Sequence, residues 1–177
     1  MSKIVINPNE LVELPPVTIG FDNLIGYYQL LKYLSNQYEG QTIFDGGTFK
    51  GHSAAVLAMN RKNKIITCDV VEQDTPYINK RRNVTKYKCG INEIVEGILL
   101  NSVFMFIDID HIGSEEKIFF DKLIRIGYSG YTLWDDIRIF KDIWDSFDIE
   151  KKYEVPIFHP ATSFGIIDFG DNICLQE

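Results

Sequence analysis

Two groups of residues in this sequence are of the right types and spacing to do chemistry. The first is the run Asp45-Gly46-Gly47-Thr48-Phe49-Lys50-Gly51-His52-Ser53, which follows a short apolar stretch. Gly46 and Gly47 permit backbone angles closed to other residues and let a ligand approach the main chain, while Gly51 lets a following helix start close to a sheet. The spacing is not the G-x-G-x-x-G of a dinucleotide loop, and no Lys-Ser/Thr ends it as in a P-loop. An acid just before the glycines suits a ligand carrying a cation better than one carrying a phosphate. The second group is Asp108-Ile109-Asp110-His111 and Asp135-Asp136, two acid clusters that each end an apolar run. Carboxylates brought together repel, and a hard divalent cation such as magnesium, with its preference for oxygen ligands, relieves that repulsion. Taken alone, Asp135-Asp136 also reads as a helix N-cap.

The elements that must carry these residues alternate between strand and helix. Strands are expected at Thr42 to Asp45, Lys64 to Val70, Val84 to Cys89, Val103 to Asp108 and Tyr131 to Trp134. Helices are expected from Asp22 to Gly40 with Asp22 as N-cap, Ser53 to Asn60, Asn92 to Ile98, Ser114 to Ile126 with Ser114 as cap, and Ile139 to Phe147. Two closing strands, Tyr153 to Phe158 and Phe164 to Phe169, are joined by a short His-Pro-Ala-Thr-Ser linker and should pair antiparallel. Such alternation predicts an α/β, doubly wound, Rossmann-like three-layer sandwich: a mostly parallel seven-stranded sheet with an antiparallel C-terminal hairpin. In an open parallel sheet, ligands bind outside the carboxyl ends of the strands, which is where both groups fall. Residues 1–20, with Pro15-Pro16 and Gly20, read as an irregular N-terminal arm, and 21–177 as one domain.

Asp45, Gly47, Gly51 and Ser53, in the pattern D-x-G-x-x-x-G-x-S, resemble motif I of the class I S-adenosylmethionine-dependent methyltransferases. The resemblance implies that Asp45, Gly46, Gly47, Gly51, His52 and Ser53 hold S-adenosylmethionine, with Asp69, at the end of the second strand, on its ribose hydroxyls. Asp108-Ile109-Asp110-His111 with Asp135-Asp136 is similar to the D-x-x-H and (D/E)-D pair of the metal-dependent macrocin O-methyltransferase and cephalosporin-hydroxylase-like family. That similarity implies Asp108, Asp135 and Asp136 as magnesium ligands and His111 as general base, with Asp108 part of the catalytic group. Asp110 then faces solvent or orients His111. The closing segment from His159 to Phe169 is similar to the family's final hairpin, and Cys89 to Asn92 is left as the adenine contact. Trp134 and Trp144 read as core or rim packing, Trp134 being the better of the two for stacking on a sugar face.

The acceptor implied is a hydroxyl of a sugar, a glycan or another small vicinal diol. A net charge of -7 and a pI near 5.0 speak against nucleic acid, whose phosphates need clustered Lys and Arg. The one basic run, Lys80-Arg81-Arg82, reads as a solvated face. Cys68, Cys89 and Cys174 are odd in number and widely spaced, which gives neither a disulfide framework nor a zinc pattern and fits a reducing, cytoplasmic setting. No apolar run approaches the roughly 18 residues of a membrane span, and the N-terminus lacks a signal-peptide pattern. The chain has little room for a lid, so either a second copy in a homo-oligomer supplies one or the acceptor site is open. Two other readings stand beside the enzyme: a noncatalytic binding module of the same fold, and a nicotinamide-dependent oxidoreductase, which the loop spacing disfavours.

Overall fold

The computed structural model describes residues 3–7, 10, 14–20, 22–159 and 162–176. In chain order the elements are β1 (Ile4–Ile6), β2 (Val17–Ile19), β3 (Asp22–Leu24), α1 (Tyr27–Asn36), β4 (Thr42–Gly46), α2 (His52–Leu57), β5 (Lys64–Asp69) and β6 (Val84–Lys88). They continue with a 3-10 turn (Ile91–Glu93), α3 (Glu96–Leu100), β7 (Ser102–Ile107), α4 (Ser114–Arg125), β8 (Tyr131–Trp134), α5 (Lys141–Asp145), β9 (Lys152–His159), β10 (Thr162–Asp168) and β11 (Ile173–Leu175). Seven strands form one sheet in the order β6-β5-β4-β7-β8-β10-β9. β10 alone runs against its neighbours, pairing antiparallel with β8 and β9, while the other pairs are parallel. This is the expected α/β architecture, mostly parallel with an antiparallel C-terminal hairpin.

The period of two along each strand sorts the side chains onto two cores. On β7, Phe104 and Phe106 join Leu30, Leu31 and Leu34 of α1 and the small residues of α2 on one face. Met105 and Ile107 join Phe119 and Leu123 of α4, with Trp134 and Trp144, on the other. A strand covered on both faces has no room for a polar side chain in its middle, which is why β7 reads as an unbroken apolar run. Gly165 on β10 makes room for Trp144: a Cβ there would fall 2.4 Å from the indole ring.

The lead-in differs from the expected irregular arm. β1 pairs parallel with β11, tying the two ends of the chain together, and β2 pairs antiparallel with β3. Val17 and Ile19 are buried while Thr18 is exposed, so the stretch after Pro15-Pro16 alternates as a half-buried strand should. Asp22 therefore opens a strand and not a helix. α1 begins only after Gly26, whose φ is 76°, and the side chain of Gln29 caps it by accepting from the Gly26 amide at 3.0 Å. At the other end of the chain, Pro160 and Ala161 of the closing linker lie outside the described residues, as does the side chain of His159.

Candidate functional site

β4 lies between β5 and β7, at the point where the strand order reverses, and the chain leaves it through the glycine turn. The amides of Gly47 and Thr48 both donate to the Cys68 carbonyl on β5, at 3.0 and 3.1 Å, and the Asp108 amide donates to the Gly46 carbonyl at 2.8 Å. The turn is thus sewn to a strand on each side. Gly47 has φ 97°, and a Cβ on it would sit 1.6 Å from the backbone oxygen of Asp108, so no other residue fits.

Asp45 does not face the ligand edge. Its side chain is fully buried beneath the turn, where Oδ2 accepts from the Thr67 hydroxyl at 2.6 Å and that hydroxyl bonds the Thr48 hydroxyl at 2.7 Å. Oδ1 has no hydrogen-bond partner. Burial pushes the Asp45 carboxyl up to about 7; the hydroxyls of Thr67 and Ser53 pull it down, and the charges of Asp108 and Asp69 add to the rise. Asp69 ends β5 and clamps the far side of the turn, its two oxygens accepting from the amides of Phe49 at 2.8 Å and Val71 at 2.9 Å.

Above this turn opens a cleft of about 370 Å³. Gly47 and Phe49 form its floor, Asp69 and Val70 one wall, and Gly90 and Ile91 the turn beyond β6. Asp108 and Asp110 close it on the β7 side. Of the residues expected to hold a cofactor, Gly47 and Asp69 line this cleft, while Asp45, Gly46, Gly51, His52 and Ser53 stand behind it. Gly51, at φ 86°, packs against Ile78, and Ser53 is buried in the first turn of α2. His52 turns away to the β2–β3 hairpin: its Nε2 is 3.4 Å from an Asp22 carboxylate oxygen to which the Tyr77 hydroxyl also donates. Cys89, Gly90 and Ile91 of the Cys89 to Asn92 segment also line the cleft.

The two acid-tipped strands meet as their spacing suggested. β7 and β8 are neighbours, and the Asp135 amide extends their ladder by donating to the Ile107 carbonyl at 2.9 Å. His111 Nε2 stands 3.2 Å from Asp108 Oδ1 and 3.8 Å from Asp136 Oδ2. His111 (φ 58°) and Asp136 (φ 51°) both adopt the left-handed backbone that non-glycine residues avoid, a form of strain concentrated at functional sites. The Asp108 hydrogen bond raises the His111 imidazole above its ordinary value, against burial. Burial, then the charges of Asp108 and Asp136, push Asp135 up to about 7. Asp136 is raised by burial while His111 pulls it down. Asp110 is exposed, and its carboxylate accepts from the Ile112 amide at 3.2 Å.

Three features of this cluster were not read from the sequence. Glu116, almost wholly buried, accepts from the His111 amide at 3.0 Å and the Gly113 amide at 2.9 Å, and so fixes the loop that carries the imidazole. Glu116 rather than Ser114 therefore caps α4; the only signal was an acid in the third position after Gly113. Tyr27 and Tyr28, at the start of α1, sit in the field of the cluster: burial raises both phenols, and the charges of Asp108 and Asp135 add to the rise. Trp134 and Trp144 are both buried, as the core-packing reading has it; Trp134 donates from its indole nitrogen to Thr132 Oγ1 at 2.6 Å and has no face to offer a sugar.

Among the described residues, no group of three or more His, Cys, Asp or Glu side chains is arranged to hold a metal ion. The imidazole of His111 stands within 4 Å of both Asp108 and Asp136, where its protonated form offsets the charge of the two carboxylates.

No protein-family model matches this sequence, and no curated protein matches it. Solved structures do match. An rRNA methylase from Streptococcus thermophilus superposes with a TM-score of 0.59 at 12% identity, over 78% of this chain and 93% of that one. A SAM-dependent methyltransferase from Aquifex aeolicus gives 0.60 at 20% identity, over 78% and 87%. The 1,6-didemethyltoxoflavin-N1-methyltransferase of Burkholderia thailandensis, with S-adenosylhomocysteine bound, gives 0.55 at 10% identity, over 80% and 76%. This chain has the α/β fold that these methyltransferases share.

Proposed function

We propose that this chain is an S-adenosylmethionine-dependent O-methyltransferase acting on a hydroxyl of a sugar, a glycan or another small vicinal diol. The observation that carries the reading is the double position of Asp108. Its backbone oxygen packs against Gly47 and the residue lines the cleft, while its carboxylate holds His111. A cofactor cleft and an acid–base group therefore share one residue.

The cleft suits the cofactor by its donors. Asp69 offers carboxylate lone pairs to ribose hydroxyls, and Val70 with Ile91 offers an apolar slot for a purine. When bound, S-adenosylmethionine supplies a methyl group on a sulfonium, open to in-line attack. The chain's own residues then have to orient the acceptor and take its proton. Neutral His111, whose Nε2–H is donated to Asp108, accepts that proton at Nδ1, and Asp108 stabilises the imidazolium that results. Glu116 keeps the ring in place through the backbone.

The magnesium expected at Asp108, Asp135 and Asp136 has no comparable support. With the imidazole beside two of the three carboxylates, the residues as arranged do not fit it, and no step is routed through a metal. Transfer that persists in EDTA is the expected result; a strict need for added Mg²⁺ would return the three acids to the role of ligands.

Titrating S-adenosylmethionine into the purified protein by calorimetry is the direct test. One site is expected, weakened in Asp69→Ala, and a folded sample that takes up no cofactor would sink the proposal.

A further inference from the structure

Two cysteines meet at the cleft and take no part in the proposed reaction. Cys68 is the penultimate residue of β5, and Cys89 follows the last residue of β6. The strands pair in parallel with Cys68 opposite Tyr87 and Asp69 opposite Lys88, so Cys89 points to the same face as Cys68, one pleat further on. Both line the cleft. Cys89 is partly exposed, whereas Cys68 is buried. The thiols are close enough for each to alter the other's ionisation.

We propose that Cys68 and Cys89 form a reversible disulfide that narrows the cleft and shuts out its ligand. The identity of that ligand rests on the reading above; the disulfide itself does not. Diagonal neighbours on a sheet face stand roughly 7–8 Å apart, while a disulfide spans Cα separations of about 4.4–6.8 Å. Closing the bond therefore draws residues 89–91 toward the end of β5. A Cβ at Gly90 would already lie 3.7 Å from Val70, and the movement shifts the amide that Gly90 donates to the Glu93 carboxylate at 2.8 Å. The movement crosses the slot between Val70 and Ile91.

The oxidant is a small-molecule disulfide such as oxidised glutathione. The more exposed Cys89, as thiolate, attacks one glutathione sulfur and releases one reduced glutathione. Cys68 then loses its proton and attacks the Cys89 sulfur of the mixed disulfide, releasing the second. Two protein thiols are oxidised, and one glutathione disulfide is reduced to two thiols. Burial raises both protein thiols above the usual range, so formation is slow at neutral pH and quickens as the pH rises.

The test treats the full chain with oxidised glutathione at pH 8, alkylates the remaining thiols and maps the peptides by mass spectrometry. One alkylated cysteine of three, Cys174, and a linked Cys68–Cys89 pair are expected. S-adenosylmethionine affinity should fall by roughly tenfold or more and return with dithiothreitol. Amide exchange at Gly90 and Ile91 should slow in parallel, a readout of closure that needs no ligand. Cys89→Ser should abolish all three effects and Cys174→Ser none. Glutathione retained on Cys89, or three alkylated thiols, would overturn the disulfide; a linked pair with unchanged exchange and affinity would overturn the closure. Reduced protein that binds no S-adenosylmethionine counts against the methyltransferase reading alone, because peptide mapping and exchange still decide this one.

Discussion

His111 must lose a proton before it can accept one, and its surroundings hold that proton on. Because Asp108 raises the imidazole above 6.5, the rate should climb with pH along a limb lying above that value, and Asp108→Asn should move the limb down. His111→Ala should cost roughly 10²–10⁴-fold in rate while calorimetry finds S-adenosylmethionine bound as before. Equal losses in rate and cofactor affinity would place the ring in the cofactor site instead. The raised pKa also stabilises the fold below the unfolded value of 6.5, and that contribution fades as pH rises through the folded one. Asp45 is also raised, so stability again falls as pH rises, here as the cost of charging a buried carboxylate. Its carboxyl keeps a proton to about 7 in the folded chain and to 3.8 in the unfolded one, so its cost to stability begins above 3.8, grows to about pH 7 and is constant beyond. Asp45→Asn removes a charge that has nowhere to go. Urea midpoints should place the variant above the parent at pH 8, with the gap shrinking by up to about 3 kcal/mol at pH 5.

The strands and helices that carry these groups depend on a few close contacts. Gly47→Ala drives a Cβ into the Asp108 carbonyl, where neither backbone can yield without breaking the bonds to β5 and β7. Loss of cofactor binding, with destabilisation of order 2–4 kcal/mol, is expected from calorimetry and denaturant melts. Glu116→Ala frees the amides of half-buried His111 and buried Gly113, at about 1–3 kcal/mol. Much of this frame was legible in advance. The apolar run of β7, the acids at the ends of β7 and β8, and the glycine turn after β4 each follow from local pattern, and strand adjacency then brings Asp108, His111 and Asp136 together. What was hidden depends on which way a side chain turns once neighbours are in place. Asp45 looked like a ligand contact, but its position on β4 aims it at Thr67 on β5, beneath the turn. The pairing of β1 with β11 joins residues whose partners no local window contains.

Across the molecule, the cleft lies where the ends of β4, β5, β6 and β7 come together, so a ligand there touches four strands whose side chains pack into two separate cores. A molecule that binds only the folded chain adds RT ln(1 + [L]/Kd) to its stability, about 2.7 kcal/mol at a hundred times Kd. In a chain of 177 residues that corresponds to a rise in Tm of about 5–10 °C. S-adenosylhomocysteine, the product of the proposed transfer, should produce such a rise in differential scanning calorimetry, and its size should grow with the logarithm of concentration. His111→Ala should keep the shift, because the ring stands beside the cleft and not in it, while Gly47→Ala should lose it. NADH, whose pyrophosphate needs the free amides of a helix-facing turn, should leave Tm unchanged, because the amides of Gly47 and Thr48 are already spent on β5. A shift with NADH and none with S-adenosylhomocysteine would make the cleft a dinucleotide site on the same scaffold.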